Sequence, residues 1–169
     1  MLTRLIYAYG STLYIQIWEE RLRVLNAKTG KVFDEQPLIA WKPTGPVQKR
    51  IVAIGNAAQA LKYDIDIIVS NPFSHPRSLI ADYTAGETII HHAISQVTPR
   101  SFFSPKIQVI LHPMEKIEGG LTDIEKKALR DMAYEAGAKN AYVYWGDTLP
   151  SQHLLNAGLK EIHIANIEP

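Results

Sequence analysis

The fold is decided by residues 12–34, TLYIQIWEERLRVLNAKTGKVFD, which hold three short runs of alternating apolar and polar side chains. In the first run the apolar residues occupy every second position, as in a half-buried strand: Leu13, Ile15 and Ile17. The turn-forming stretch Asn26–Gly30 separates the second run from the third. The segment therefore predicts three consecutive antiparallel strands, over 12–18, 21–26 and 31–34.

The rest of the chain alternates between strand-like and helix-like patterns. The clearest helix covers 121–136, where Thr122 and Glu125 have the spacing of a capping box and Gly137 ends the pattern. Its predicted apolar stripe is Ile124, Ala128, Leu129, Met132 and Ala136. Other helices are predicted over 55–61, 83–97 (with Tyr83 on its apolar face) and 150–157, and other strands over 38–41, 50–54, 65–69, 106–111, 141–144 and 161–167. This order favours an α/β fold, a mixed sheet with helices on its faces.

Composition and charge exclude several classes of protein. The 169 residues are 46% hydrophobic and 21% charged, as in an ordinary globular domain. Because 18 basic residues face 17 acidic ones, the net charge is only +1, and we expect no nucleic-acid partner. The absence of cysteine excludes disulfides and thiolate sites, and it fits a reducing compartment.

Several segments resemble the MreB family of bacterial actin relatives. They are Thr122–Ala128 and Glu135–Lys139 (similar to T-x-V-E-R-R-A and G-A-G-A), Ile80–Tyr83 (I-A-D-F), Val52–Ala58 (V-A-A-V-G-x-x-A) and Leu154–Leu159 (I-G-A-G-L). The resemblance implies a ribonuclease-H-like lobe of the actin-like ATPase type. It implies a main lobe over 1–34 and 79–169 with a small inserted subdomain over 35–78. The resemblance stops at the midpoint of the family's chain, before its second lobe.

The family's phosphate loop, D-x-G-T between the first two strands, has no counterpart of the same chemistry. A gap-free placement puts Gln16, Trp18 and Glu19 at the three motif positions. An amide replaces the carboxylate that organises magnesium, an indole replaces the glycine, and Glu19 adds negative charge near phosphate. A rival placement makes Gly10-Ser11-Thr12 the turn, with Ala8 in place of the aspartate. Both placements lack the carboxylate, so we expect no ATPase activity and no cofactor.

Glu125 is the only retained candidate for a catalytic group, because the matching family glutamate helps to position the attacking water. The capping box explains Glu125 equally well without a nucleotide, and we favour that interpretation. The family's E-E-P turn is replaced by Trp145-Gly146-Asp147. We expect no metal site, since His91 and His92 point in different directions on a helix and the other histidines lack ligand spacing.

The first nine residues allow two interpretations. Leu2, Leu5 and Ile6 would share one face of a short helix beside Arg4, similar to the membrane-contacting helix of some family members. Nine residues with one basic side chain make a weak anchor, so a strand through 5–7 is favoured. With no apolar run near the roughly 20 residues that span a bilayer, we expect a cytoplasmic protein, with contact at the inner membrane as an alternative.

Together these observations predict a non-enzymatic MreB-like protein of the cell-shape and cytoskeletal class, which acts through a protein partner or as a homodimer. Two alternatives remain. One is an actin-fold adaptor of a membrane-associated machinery, such as a pilus or division complex. The other is a protein that still binds ATP through a rebuilt site.

Overall fold

The computed structural model describes residues 10–98, 106–150, 154 and 167–168. Within them the chain forms nine strands and three helices. The strands are β1 (Ser11–Ile17), β2 (Leu22–Asn26), β3 (Val32–Glu35), β4 (Ile39–Pro43), β5 (Lys49–Ile54), β6 (Ile68–Ser70), β7 (Ile107–Pro113), β8 (Asn140–Tyr144) and β9 (Ile167–Glu168). The helices are α1 (Asn56–Ala60), α2 (Tyr83–Val97) and α3 (Asp123–Glu135).

The main sheet of the described residues has the order β3-β2-β1-β7-β8-β9. β1 pairs antiparallel with β2, with Ile15 opposite Val24, and parallel with β7, with Ile15 opposite Leu111. β7 in turn pairs parallel with β8. The three antiparallel strands predicted over 12–34 are confirmed, and so is the mixed sheet.

Helices α2 and α3 cover one face of this sheet. That face carries the apolar side chains predicted from the alternation, and Leu13, Ile15 and Ile17 are completely buried. The predicted capping box at the start of α3 is confirmed. Two apolar predictions were wrong: Ile124 is 81% exposed and Tyr83 is 38% exposed. Tyr83 lies in the first turn of α2, and Ile124 points away from the buried stripe of α3, which is Leu129, Met132 and Ala133.

A second, smaller sheet is built from β5, β4 and β6 in that order. It packs on the main core through β4, where Ile39 and Trp41 are buried. Helix α1 begins after Gly55, whose φ of +69° is left-handed and where a Cβ would collide with the Glu35 carboxylate. The strand predicted over 65–69 is shorter than expected, because the Asp64 carboxylate accepts from the Asp66 N–H (3.1 Å) and holds a turn before β6.

On the opposite face of the main sheet, several buried polar groups are linked by hydrogen bonds. The Tyr14 hydroxyl lies 2.5 Å from His112 Nδ1, and His112 Nε2 lies 3.1 Å from the Gly146 carbonyl. Because that carbonyl can only accept, Nε2 donates to it, and Nδ1 accepts a hydrogen bond from the Tyr14 hydroxyl. The Leu149 N–H donates to the Tyr14 oxygen at 3.2 Å. Burial raises the pKa of Tyr14 to about 12 and, despite the bond to Gly146, lowers the pKa of His112 below 6.5.

Several sequence predictions lie outside the described residues. They are the N-terminal segment with Leu2, Leu5 and Ile6, most of the helix over 150–157, and most of the strand over 161–167. Leu154 is described and is buried. In the described part of the chain, no helix is long and apolar enough to cross a membrane.

The two apolar positions of α3 provide a paired test of the core. We expect Leu129→Ala to lower the free energy of unfolding by about 2–5 kcal/mol, because it empties a fully buried site. Ile124→Ala on the same helix should change it by less than about 0.5 kcal/mol, because that side chain is exposed. Urea unfolding followed by circular dichroism measures both. Equal losses would contradict the packing of α3 described here.

The buried His112 predicts a pH dependence of stability. Its pKa is lower in the folded than in the unfolded chain, so its contribution is complete above pH 6.5 and is lost as the pH falls towards the folded pKa. We expect His112→Gln to be less stable at neutral pH but to lose less free energy of unfolding between about pH 7.5 and 5.5. His91→Gln, at an exposed position of α2, is the matched control for replacing a histidine. An unchanged slope in His112→Gln would refute the role of His112.

Candidate functional site

The candidate site lies at the turn between β1 and β2, where the sequence placement puts the phosphate-loop positions. The Trp18 N–H donates to the Arg21 carbonyl at 2.9 Å and closes the turn. The Arg21 guanidinium binds Asp34 of β3 with two hydrogen bonds of 2.7 and 2.6 Å. It also lies 5.1 Å from the centre of the Trp18 ring, in a cation–π contact. The indole and the guanidinium therefore form one layered surface at this turn.

Gln16, the last-but-one residue of β1, is 4% exposed, and both polar atoms of its amide have a partner. Its Oε1 accepts from Arg23 Nη1 at 3.0 Å, and its Nε2 lies 3.7 Å from the Met114 sulfur. The family motif has a metal-organising carboxylate at this position. Here a neutral amide stands beside a permanent cation, a combination that offers no charge to attract magnesium.

Glu19 joins three separate segments of the chain. Its carboxylate binds Lys116 Nζ at 2.9 Å and the Ser74 hydroxyl at 2.9 Å. Its backbone carbonyl accepts from the Asn71 amide at 2.6 Å. The hydrogen bonds from Lys116 and Ser74 hold the pKa of Glu19 below its usual 4.5. The turn is thereby tied to the segment after β6 and to the loop after β7.

The backbone amide of Glu19 also has a partner. It donates to the Glu115 carboxylate at 2.7 Å. In a phosphate loop, backbone N–H groups of this kind are the donors that bind the anion. Here the Glu115 carboxylate of the same chain accepts the hydrogen bond from the Glu19 N–H.

Lys116 is the central cation of the site. Its Nζ binds the Phe73 carbonyl at 2.8 Å in addition to Glu19, and its side chain is 19% exposed. Its backbone φ of +58° is left-handed, a conformation that is uncommon for a residue with a Cβ. The β7–α3 loop thus adopts a strained shape while its lysine lies between the turn and the 71–74 segment.

These residues surround an open cavity of about 620 Å³. Its lining consists of Trp18, Glu19, Glu20, Arg21, Glu115 and Lys116. Three carboxylates and two cations give the lining a formal charge of −1. Such a lining favours a cationic group over a phosphate.

Glu125 lies in the capping box rather than free in a cleft. Its carboxylate accepts from the Thr122 N–H (3.0 Å) and hydroxyl (2.8 Å), and from the Leu79 N–H (3.3 Å). Burial raises the pKa of Glu125, but these hydrogen bonds outweigh it and hold the pKa below 4.5. Both carboxylate oxygens therefore have protein partners.

The remaining sequence candidates are dispersed. Ser11 and Thr12 of the rival placement belong to β1, opposite Ile107 and Gln108, so they are not in the β1–β2 turn. Trp145 of the substituted E-E-P turn lies against α3, with its ring centre 4.8 Å from Lys126 Nζ. His91 is exposed and His92 half-buried, as expected. Among the described residues no three His, Asp or Glu side chains gather as a metal site.

Sequence reasoning missed the partners of the turn: Arg23, Asn71, Ser74, Glu115 and Lys116. For Glu115 and Lys116, which lie in the β7–α3 loop, the strand order gives a signal. β1 and β7 are parallel, so their carboxyl ends meet at one edge of the sheet, and the residues after β7 must approach the turn after β1. For Asn71 and Ser74 we find no signal in the sequence, because the path of the inserted segment places them.

The comparisons with known proteins agree with this fold. The family described as MreB/Mbl protein matches residues 13–148. The cell shape-determining protein MreB of Haemophilus influenzae is 24% identical over 139 residues, covering 80% of this chain and 38% of that protein. MreB of Escherichia coli K12 is 24% identical over 146 residues, covering 85% and 40%. The chain therefore spans about two fifths of the length of these relatives.

Solved structures show the same architecture. MreB5 of Spiroplasma citri bound to ADP superposes with a TM-score of 0.62 at 22% identity, covering 79% of this chain and 37% of that one. A non-polymerising mutant of MamK bound to AMPPNP gives 0.61 at 15% identity, covering 80% and 41%. The expected actin-like, ribonuclease-H-like fold is confirmed.

The family match covers most of the described sheet, including the turn between β1 and β2 and the whole of α3. This chain belongs to the MreB/Mbl family.

Proposed function

We propose that this chain is a non-enzymatic member of the MreB/Mbl family that acts in bacterial cell shape or cytoskeletal processes by binding other proteins. A role in cell shape is supported by the relatives of this chain, which are named cell shape-determining proteins. In this proposal the chain works in the cytoplasm, and its partner is another protein or a second copy.

The observation that carries the proposal is the contact between Glu115 and the Glu19 amide. A backbone donor of the turn already binds an internal carboxylate at 2.7 Å, and the Glu19 carboxylate is itself held by Lys116. A phosphate would have to displace one carboxylate and approach another. Bringing like charges together is unfavourable, and the Glu115 carboxylate would lose its hydrogen bond to the Glu19 amide.

The groups at the end of β1 support the same conclusion for magnesium. The ion prefers carboxylate and phosphate oxygens in octahedral geometry. The position that would supply a carboxylate is Gln16, whose oxygen is already occupied by Arg23. Gln16 therefore does not supply the carboxylate of the family's magnesium site, and the proposed function includes no hydrolysis.

A residual ATP-binding protein is the competing candidate. It is favoured by the nucleotides that appear in the names of the structural relatives, ADP in the Spiroplasma citri protein and AMPPNP in the MamK mutant. The cavity beside the turn, at about 620 Å³, leaves space for part of a small molecule. Direct binding measurements separate the two candidates.

Calorimetric titration of ATP with Mg²⁺ into the purified chain tests the proposal. We expect no saturable heat up to about 1 mM ATP, an affinity weaker than about −4 kcal/mol, because the turn carries carboxylates where phosphate would bind. A thermal-shift measurement with the same nucleotide should show no change in Tm. Titration of ADP into MreB5 of Spiroplasma citri, whose solved structure contains ADP, controls for the quality of the measurement.

Saturable heat with a matching rise in Tm would overturn the proposal. In that case Glu125→Gln becomes the first variant to examine, because it keeps the size of the side chain while removing its charge. Loss of ATP turnover with retained binding in that variant would establish Glu125 as a catalytic group. The chain would then be a rebuilt ATPase.

Under the proposal, the role of Glu125 is to cap α3. We expect Glu125→Ala to reduce the free energy of unfolding by about 0.5–2 kcal/mol, because the N–H groups of Thr122 and Leu79 lose their acceptor. Glu135→Ala, an exposed glutamate in the same helix, is the matched control and should change it by less than about 0.5 kcal/mol. Equal effects in the two variants would contradict the capping role.

A further inference from the structure

The β4–β5 hairpin and its surroundings have an uneven distribution of charge. Residues 38–63 contain no aspartate or glutamate, although the whole chain is nearly neutral. Four basic residues lie in this stretch and all are exposed: Lys42, Lys49, Arg50 and Lys62. The hairpin is therefore a local positive surface on a chain of net charge +1.

β5 forms an edge of the smaller sheet. In the order β5-β4-β6 it pairs with β4 alone among the described strands. Its first four residues are exposed, including Ile51 (38%) and Val52 (37%) on opposite faces of the strand. An edge that carries apolar side chains on both faces is a template for another strand.

The backbone of β5 has donors that point away from β4. Lys42 lies opposite Arg50, and the Thr44 N–H donates to the Gln48 carbonyl two residues further along the ladder. Antiparallel pairs alternate between hydrogen-bonded and non-hydrogen-bonded, so the Arg50 N–H faces β4 and the Ile51 N–H faces outward. Beyond Ile51 the register shifts by one residue, a β-bulge that limits the regular edge to the first half of β5.

The basic side chains are on this same regular part of the edge. Lys49 lies with its ammonium group 4.1 Å from the centre of the Trp41 ring, and Arg50 is its neighbour. Charged side chains at an edge discourage pairing with strands of the same charge. They attract a strand that places acidic residues opposite them.

We infer that β5 is a docking edge for an extended, acidic segment of a partner protein, which adds to the small sheet as a fourth strand next to β5. The partner strand alternates acidic with apolar residues, so that its carboxylates meet Arg50 on one face of the sheet and its apolar side chains cover Ile51, beside Lys49, on the other. Main-chain hydrogen bonds to the outward groups of β5 supply the binding, and the charge supplies selectivity. This inference rests on the protein-binding part of the proposed function and names its surface.

Other occupants fit this edge less well. A second copy pairing β5 with β5 would bring two basic strands together, and like charges across a ladder are unfavourable. A membrane would have to take up the tip of the hairpin, where Val47 (93% exposed) is the one large apolar side chain of the β4–β5 loop. An acidic strand satisfies the backbone donors and the charges at once.

Hydrogen exchange with two synthetic peptides tests the inference on the whole chain. One peptide alternates valine with glutamate and the other alternates valine with lysine. We expect the glutamate peptide to slow exchange of the Ile51 amide by about tenfold or more, while the Arg50 amide, already bonded to β4, changes little. The lysine peptide should leave both amides unchanged.

Two sets of variants test separately how the basic side chains and the backbone donor of β5 contribute to peptide binding. We expect the double variant Lys49→Glu and Arg50→Glu to bind the glutamate peptide about tenfold more weakly. The double variant Lys31→Glu and Lys139→Glu makes the same change in net charge at exposed sites elsewhere, and it should keep the wild-type affinity. Ile51→Pro removes the outward donor and should abolish binding, whereas Ile51→Thr, which keeps the donor, should retain it. Circular dichroism and Tm verify that each variant is folded.

Several results would overturn the inference. They are failure of the glutamate peptide to protect Ile51, equal weakening by the Lys31 and Lys139 pair, a dimer in sedimentation that Ile51→Pro dissociates, or binding to vesicles of anionic phospholipid that the Lys49 and Arg50 reversal removes. The last two assign the edge to a second copy or to a membrane. The ATP titration is independent of these results, so saturable ATP heat would refute the proposed function and leave this inference standing.

Discussion

The structure depends on the burial of β1 on both of its faces. This strand lies in the middle of the main sheet, antiparallel to β2 and parallel to β7, and every residue from Leu13 to Ile17 is buried. One face meets this constraint with aliphatic side chains that pack against the helices. The other face carries Tyr14 and Gln16, whose polar atoms must all find partners because unpaired buried polar groups are costly.

The same constraint shapes the candidate site. A parallel neighbour delivers its loop to the end of β1, and the β7–α3 loop therefore faces the β1–β2 turn. In this chain the loop brings Glu115 and Lys116, which bind the amide and the carboxylate of Glu19. Gln16 is satisfied by Arg23 in place of a metal ion. The edge of the sheet where the resemblance places the nucleotide motif is here connected by contacts within the protein.

The smaller sheet differs from this closed arrangement. β4 anchors it to the core, but β5 has exposed side chains, outward backbone donors and a concentration of positive charge. Free backbone groups and exposed apolar side chains are features of binding surfaces more than of structural ones. The smaller sheet thus presents the surface on which binding is proposed.

The sequence by itself determined the local elements. Alternation identified β1 to β3, the Thr122–Glu125 spacing identified the cap of α3, and the quoted motifs identified the family, because each signal lies within a few residues of chain. The chemistry of Gln16, Trp18 and Glu19 was readable for the same reason. Only the tertiary structure decided which groups meet: Glu19 with Lys116, Gln16 with Arg23, and Tyr14 with His112 are separated by 7 to 98 positions. It also exposed Ile124 and Tyr83, since the tertiary packing decides which side of a helix meets the core.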